Sequence, residues 1–263
     1  MFVRAIKIAL LTVMLAALSA HADPLARPGD MLLRHDIRLL VDEGLINLPM
    51  NTWPIPWADV FDQLNRAHAE IPSPEVASAM TRLRERARWE LDTGEWYLTA
   101  WASAAAEPRV IRTFEDTPRE DAEAGLGFSW TGNRFTVNLS AAYANDPVDG
   151  EEFRPDDTYI GMVLGNWMFT AGWQQRWWGP GNDASSILSS NARPRPGVTL
   201  QRNLSTPFKT KWLSWLGPWN LTTFMEYLDD ERATPDPLLW GFRFGFRPLQ
   251  GLEINVTRTA MWC

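Results

Sequence analysis

"AEAGLGFSWTGNRFTVNLSAAY", residues 122–143, alternates with a period of two on both sides of a Gly132-Asn133 turn. In the first arm Ala122, Ala124, Leu126, Phe128 and Trp130 share one side, and Glu123, Gly125, Gly127, Ser129 and Thr131 share the other. In the second arm Phe135, Val137, Leu139, Ala141 and Tyr143 alternate with Arg134, Thr136, Asn138 and Ser140. Successive side chains of a strand point to opposite faces, so this stretch predicts a tight hairpin with one apolar and one polar face.

The same pattern returns further along. Leu238, Trp240, Phe242, Phe244 and Phe246 oppose Gly241, Arg243, Gly245 and Arg247. Leu252, Ile254, Val256 and Ala260 oppose Glu253, Asn255, Thr257 and Thr259, with Arg258 as the exception. A soluble sandwich also alternates. Two features favour a membrane barrel. The runs are about ten residues long, the length of a tilted strand crossing a bilayer. The polar side is rich in Gly, Thr and Arg, while aromatics crowd the apolar side near strand ends, as a wet lumen and an interfacial belt require. In lipid every backbone N–H and C=O must pair within the protein, which demands a closed sheet.

The connections carry a second pattern. A first strand over about Glu95–Phe114 leads to "EDTPRED", then the short Gly132-Asn133 turn, then the long "NDPVDGEEFRPDD". Next come the short Gly165-Asn166, a very long stretch over 178–200, the intermediate "TKWLSWLGP", the long "DDERATPD" and the short "RPLQG". Long outer loops alternating with short periplasmic turns are a barrel habit, and the count puts the 178–200 stretch outside. About nine strands result. Single-chain bacterial barrels have an even number, and the sequence stops in mid-strand at "TRTAMWC", so a truncated chain is expected.

Ahead of the strands the period is helical. Asp30 is placed to cap a helix over Met31–Glu43, with Leu32, Leu33, Ile37, Leu40 and Val41 at helical spacing and Gly44 as its stop. Trp57–Glu70 repeats the pattern. Ser73 caps a third helix with Pro74 at its first position, running to about Glu90. The Pro-rich "INLPMNTWPIPW" between the first two cannot be helical throughout. Residues 1–22 carry Arg4 and Lys7, a short apolar run Ile8–Leu18 and Ala20-His21-Ala22, the layout of a secretory signal cleaved near Ala22. The expected organisation is therefore a signal peptide over 1–22, a periplasmic helical segment over 23–92 and the N-terminal part of an outer-membrane barrel over 93–263. In fold class this is mainly β: a partial transmembrane antiparallel β-barrel after a short helical segment.

Composition narrows the function. Without Arg4 and Lys7, 23 Lys+Arg face 32 Asp+Glu, a net charge of −9, which disfavours nucleic acid. The single cysteine, Cys263, supports neither a disulfide framework nor a cysteine metal site. The mature histidines, His35 and His68, both lie in the helical segment, read as surface residues and leave the strands without a Ser-His-Asp or Cys-His site. The carboxylate pairs Glu151-Glu152, Asp156-Asp157 and Asp229-Asp230 sit in long acidic loops and read as solvated charge rather than a glycosidase pair. No cofactor or metal is expected, and the lumen side of the wall is assigned Arg134, Arg243 and Arg247.

"QQRWWGPGNDASSILSSNARPRPG", residues 174–197, holds the candidate site. Trp177 and Trp178 are either an interface belt residue and a loop anchor packing on Pro180, or a stacking platform for a pyranose. Asn182, Asp183, Asn191, Arg193 and Arg195 would bond sugar hydroxyls or acidic groups, Arg offering a bidentate fork. Gly179-Pro180-Gly181 shapes a sharp turn, with positive φ assigned to the glycines, and bends the loop into or over the lumen as a plug.

Residues 29–60, "GDMLLRHDIRLLVDEGLINLPMNTWPIPWADV", resemble the start of the capsule assembly protein Wzi family. So does "QQRWWGPGNDASSILSSNARPRPGVTLQR", residues 174–202, and the ending "INVTRTAMWC" resembles an internal strand of that family. The resemblance spans nearly all of 28–262. It implies an outer-membrane barrel of about 18 strands with a periplasmic helical segment. It also implies a non-enzymatic, lectin-like surface protein of a Gram-negative cell that attaches and organises capsular polysaccharide. Roughly half of such a barrel is absent from this sequence. The partners expected are exported polysaccharide, outer-membrane lipid and the barrel-assembly machinery. A porin-like channel and a barrel enzyme acting on envelope glycans or lipids are the alternatives.

Overall fold

The structure, a computed structural model, describes residues 24–67, 72–109, 111–228 and 237–262. The signal segment, His68, the Asp229-Asp230 pair and Cys263 lie outside the described residues. Three helices form: α1 Met31–Asp42, α2 Trp57–Arg66 and α3 Pro74–Glu90; α2 is shorter than the expected Trp57–Glu70, because Ala67 is already extended. Asp30 accepts from Leu33 N at 2.9 Å and Ser73 from Val76 N at 3.3 Å, each satisfying an orphan first-turn amide. Gly44 sits at φ +70°, where a side chain would be strained, and ends α1. Short two-residue strands flank α2 on its N-terminal side: β1 Leu25–Ala26, β2 Thr52–Trp53 and β3 Ile55–Pro56, with β1 paired to β3. The helix faces and the Pro-rich stretch share one core around Ile37, Leu40, Leu48, Trp53, Trp57, Val60 and Leu83.

The wall is one antiparallel sheet. Its strands are β4 Trp96–Ala104, β5 Ala122–Thr131, β6 Phe135–Asn145, β7 Phe153–Arg154, β8 Tyr159–Leu164, β9 Trp167–Trp173, β11 Pro196–Arg202, β12 Trp219–Tyr227, β13 Leu238–Leu249 and β14 Leu252–Trp262. The order is β14-β13-β12-β11-β9-β8-β6-β5-β4, with the two-residue β7 hanging on β6. The sheet is therefore an up-and-down array of nine long strands, open between β4 and β14 among the described residues. The first strand is shorter than the sequence pattern predicts. It stops at Ala104, ahead of Pro108, and the following residues form a loop in which Phe114 turns into the helical core.

Burial across this sheet is inverted relative to a water-soluble fold. On the apolar face Leu98 is 76 % exposed and Leu126 60 %; on the polar face Asn138 is 1 % exposed and Arg243 3 %. Facing water, each of those large apolar side chains would forgo about 1.5–3 kcal/mol. Facing acyl chains, the same arrangement is the stable one. Aromatics gather at both rims of that face. Trp96, Trp130, Trp167 and Trp219 lie toward the short turns, and Tyr143, Trp173, Tyr227 and Trp262 toward the long loops. Arg258 stands on the outward face of β14 as the sequence indicates, paired with Phe242. Arg134 departs from its expected lumen place. It occupies the tight turn, exposed, because β6 begins only at Phe135.

Polar side chains of the concave face meet the helical segment rather than open space. Arg243 Nε donates to Thr52 Oγ1 at 2.9 Å and its Nη1 to Thr257 Oγ1 at 2.9 Å. The amides of Met50 and Asn51 donate to the Glu253 carboxylate. Ser205 N donates to Asp59 Oδ1 at 3.0 Å, and Gln250 Nε2 to Asp42 O at 3.3 Å. The helical segment thus docks against the inner face of the sheet through Arg243 and Glu253 and against its short-turn rim through Ser205 and Gln250, which keeps buried polar groups paired.

Candidate functional site

The 174–195 connection enters the same interior. Trp177 and Trp178 form a two-residue strand, β10, antiparallel to β2, with Trp177 opposite Trp53 and Trp178 opposite Thr52. Gly179 N extends the pairing to Asn51 O at 3.0 Å. A loop from the far rim and a stretch of the N-terminal segment therefore share one ladder in the lumen.

Both indoles are 0 % exposed. Trp177 packs edge-on against Phe114 at 5.6 Å, and its Nε1 donates to Gly181 O at 3.0 Å. Trp178 packs edge-on against Phe224 of the inner wall at 5.4 Å, with the Arg243 guanidinium 5.9 Å from its ring. The expectation of an interface belt or a sugar-stacking face is corrected here: neither ring presents a face to solvent or lipid. Burying two large apolar rings against Phe114, Trp53 and Phe224 outweighs leaving them at a polar rim.

The turn that follows is held by a residue the sequence pattern did not single out. Arg34 of α1 is buried, and its Nη2 lies within hydrogen-bond reach of three consecutive carbonyls: Gly179 at 3.2 Å, Pro180 at 2.9 Å and Gly181 at 3.0 Å. Arg38 Nη2 adds a second bond to Pro180 O at 3.0 Å. The Arg34 side chain lies over the Phe114 ring at 4.1 Å. Burial, with Arg38 nearby, lowers its pKa to about 10, so the cation persists at neutral pH. The glycines serve differently from the expectation. Neither Gly179 nor Gly181 has positive φ. Glycine is needed for close approach: a Cβ on Gly179 would lie 2.7 Å from Ser186 N, and one on Gly181 2.5 Å from Ala184 O.

Loop-to-loop contacts fix the rest. Phe114 N donates to Asn182 O at 2.7 Å, Arg112 N to Asn191 Oδ1 at 2.7 Å, and Arg119 to the carbonyls of Ser190 and Asn191. Arg193 makes its bidentate fork internally, to Asp156 at 3.1 and 2.8 Å, and reaches Asp149 at 3.1 Å. Burial works against that charge, but the two carboxylates prevail and hold the Arg193 pKa above the usual arginine value. The fork assigned to a sugar carboxylate is thus engaged by Asp156. Asp183 and Asn191 are exposed, while Asn182 and Arg195 are half-buried. The carboxylate pairs are likewise drawn into latches: Asp157 pairs with Arg27 at 3.2 Å, and Glu152 accepts from Tyr143 OH at 3.0 Å. His35 stands on the surface of α1 between Asp36 and Glu75.

A sequence model for the capsule assembly protein Wzi family matches residues 99–263. The chain belongs to that family. The Wzi family likeness extends to a Klebsiella pneumoniae protein described as an uncharacterized 55.8 kDa protein in the cps region, 29 % identical over 98 % of this chain and 51 % of that protein. Among solved structures, Escherichia coli Wzi superposes with a TM-score of 0.79 at 26 % identity, over 91 % of this chain and 53 % of that one. That protein is described as an outer-membrane protein involved in group 1 capsule assembly and as a carbohydrate-binding β-barrel. The chain spans about half the length of the relatives it matches. Its sheet is accordingly part of a Wzi-type barrel of the outer membrane, with the exposed apolar face toward lipid.

Proposed function

We propose that this chain serves as a surface lectin of the outer membrane that binds and helps retain exported capsular polysaccharide, without catalysis. The likeness to E. coli Wzi, a carbohydrate-binding barrel, carries this reading. The helical segment over 23–92 fills the barrel from the periplasmic side, residues 1–22 direct export, and the barrel-assembly machinery inserts the strands. The sugar contacts fall on the polar rim of the 174–195 loop, on Asn182, Asp183, Asn191 and Arg195. Trp177, Trp178, Gly179, Pro180, Gly181 and Arg193 hold that rim in shape. The occupied lumen argues against a porin-like channel, and the engagement of Asp156, Asp157 and Glu152 in loop latches argues against a carboxylate-pair hydrolase. The test is binding of purified acidic capsular polysaccharide, against neutral dextran, to the full chain folded in nanodiscs. Retention of the acidic polymer, weakened by Asn191→Ala with Arg195→Ala, supports the reading; equal or absent binding of both polymers refutes it.

A further inference from the structure

The connection between β11 and β12, residues 203–218, reads "NLSTPFKTKWLSWLGP" and lies at the short-turn rim of the sheet. It does not stay beneath the rim but folds back over the outward face. Phe208 stacks flat on Trp219 with centroids 4.4 Å apart and planes 8° apart, and Trp215 meets Phe246 edge-on at 6.1 Å. Trp219 and Phe246 both belong to the outward face of β12 and β13, and Leu216 is buried with them. The segment is internally hydrogen-bonded. Leu213 N and Ser214 N donate to Thr210 O, Leu216 N to Leu213 O and Gly217 N to Ser214 O, through a short 3-10 turn over Ser214–Leu216. These bonds pair part of the segment's backbone internally, as a low-dielectric boundary favours.

What this turn leaves uncovered is unusual for water. Trp212 is 88 % exposed and Trp215 62 %, and Leu213 is exposed beside them. Lys209 and Lys211 flank the indoles, both exposed, with no ion-pair partner among the described residues, and the stretch 203–218 contains no carboxylate. Indoles with adjacent free lysines match a phospholipid boundary, where the rings sit at headgroup level and the ammonium groups meet phosphate. The row of outward indoles at this rim, Trp96, Trp130, Trp167 and Trp219, puts the boundary at the same level.

We propose that residues 208–216 form a lipid-binding foot that takes anionic phospholipid of the leaflet at the short-turn rim, through Trp212, Trp215, Lys209 and Lys211. The proposal rests on the outer-membrane barrel reading and adds a defined lipid site to it. The test places an environment-sensitive fluorophore on Leu213→Cys in a Cys263→Ser background. The full chain is folded into vesicles of phosphatidylcholine, with or without phosphatidylglycerol, and quenched by brominated lipid or by aqueous iodide. A second probe on Leu126→Cys, in the middle of the outward face, reports the barrel itself. Lipid quenching at residue 213, with phosphatidylglycerol co-purification falling about tenfold in Lys209→Gln with Lys211→Gln, supports the foot. Iodide quenching at 213 with lipid quenching at 126 overturns the foot and leaves the barrel standing. Iodide quenching at both positions overturns the barrel reading. Shielding at 213 that depends on protein concentration rather than on lipid overturns the foot in favour of contact between copies.

Discussion

Arg34 donates to the carbonyl of Pro180 at 2.9 Å across 146 residues of chain, from the first helix to the tip of the buried Trp-Trp turn. The same nitrogen serves Gly179 and Gly181, so one cation ties together three consecutive carbonyls of the loop end, while Trp177 Nε1 adds a bond to Gly181 O and Arg38 Nη2 one to Pro180 O. Replacing it with alanine leaves three carbonyls without this partner in a water-poor site. Arg34→Ala is expected to cost about 3 kcal/mol of barrel stability and to open the 174–195 loop to protease. Thermal unfolding in detergent and limited proteolysis read the two effects. A loop as resistant as wild type would separate Arg34 from the clamp.

Trp178 fills space between β2 and the inner wall at Phe224. Trp178→Ala is expected to destabilise the fold by about 3–5 kcal/mol, since the cavity cannot collapse between a docked strand and a rigid sheet. A stacking platform for sugar would instead lose polysaccharide binding at unchanged stability. Parallel unfolding and binding measurements separate the two roles.

Much of the fold was legible because its physics is periodic. The period-two runs at 122–143, 238–247 and 252–262 set strand, face and register, and Asp30, Gly44, Ser73 and Pro74 marked the helix ends. The loop interior was less so. Trp177 and Trp178 sit in a polar stretch, and only the tertiary pairing with Thr52 and Trp53 turns them inward. Phe114 falls at the end of the strand that the spacing predicts over about Glu95–Phe114, although Pro108 argues for a break. Arg34 did leave a signal: it stands three residues before Ile37 and seven before Val41, on the buried stripe of α1, where a lone cation requires a partner.

Asp59 carries a pH dependence. Burial raises its pKa from 3.8 to about 6, with the Ser205 amide opposing the shift. A folded-state pKa above the unfolded one means that the folded protein holds the proton more tightly. Stability from this group therefore rises as pH falls from 7 toward 4, by up to about 3 kcal/mol, and is lost again on raising the pH through 6. Asp59→Asn keeps an acceptor for Ser205 N and is expected to flatten that slope relative to wild type. Unfolding midpoints between pH 4 and 8 for both proteins test this.

Arg193 joins the 146–158 and 174–195 loops through Asp149 and Asp156. Arg193→Ala is expected to cost about 1–2 kcal/mol and to expose the 183–195 stretch to protease, while the strands below remain folded. High salt on wild type should reproduce part of the effect. Hydrogen exchange of the loop amides measures it.

A nitroxide scan along β5 from Leu126 to Trp130, in folded vesicles, bears most directly on the wall itself. Oxygen accessibility should be higher at 126, 128 and 130 than at 127 and 129, with the nickel chelate excluded from 126 and 128 and readmitted toward the rim at 130. A flat profile, or chelate reaching Leu126 and Phe128, would contradict a wall whose apolar side meets lipid.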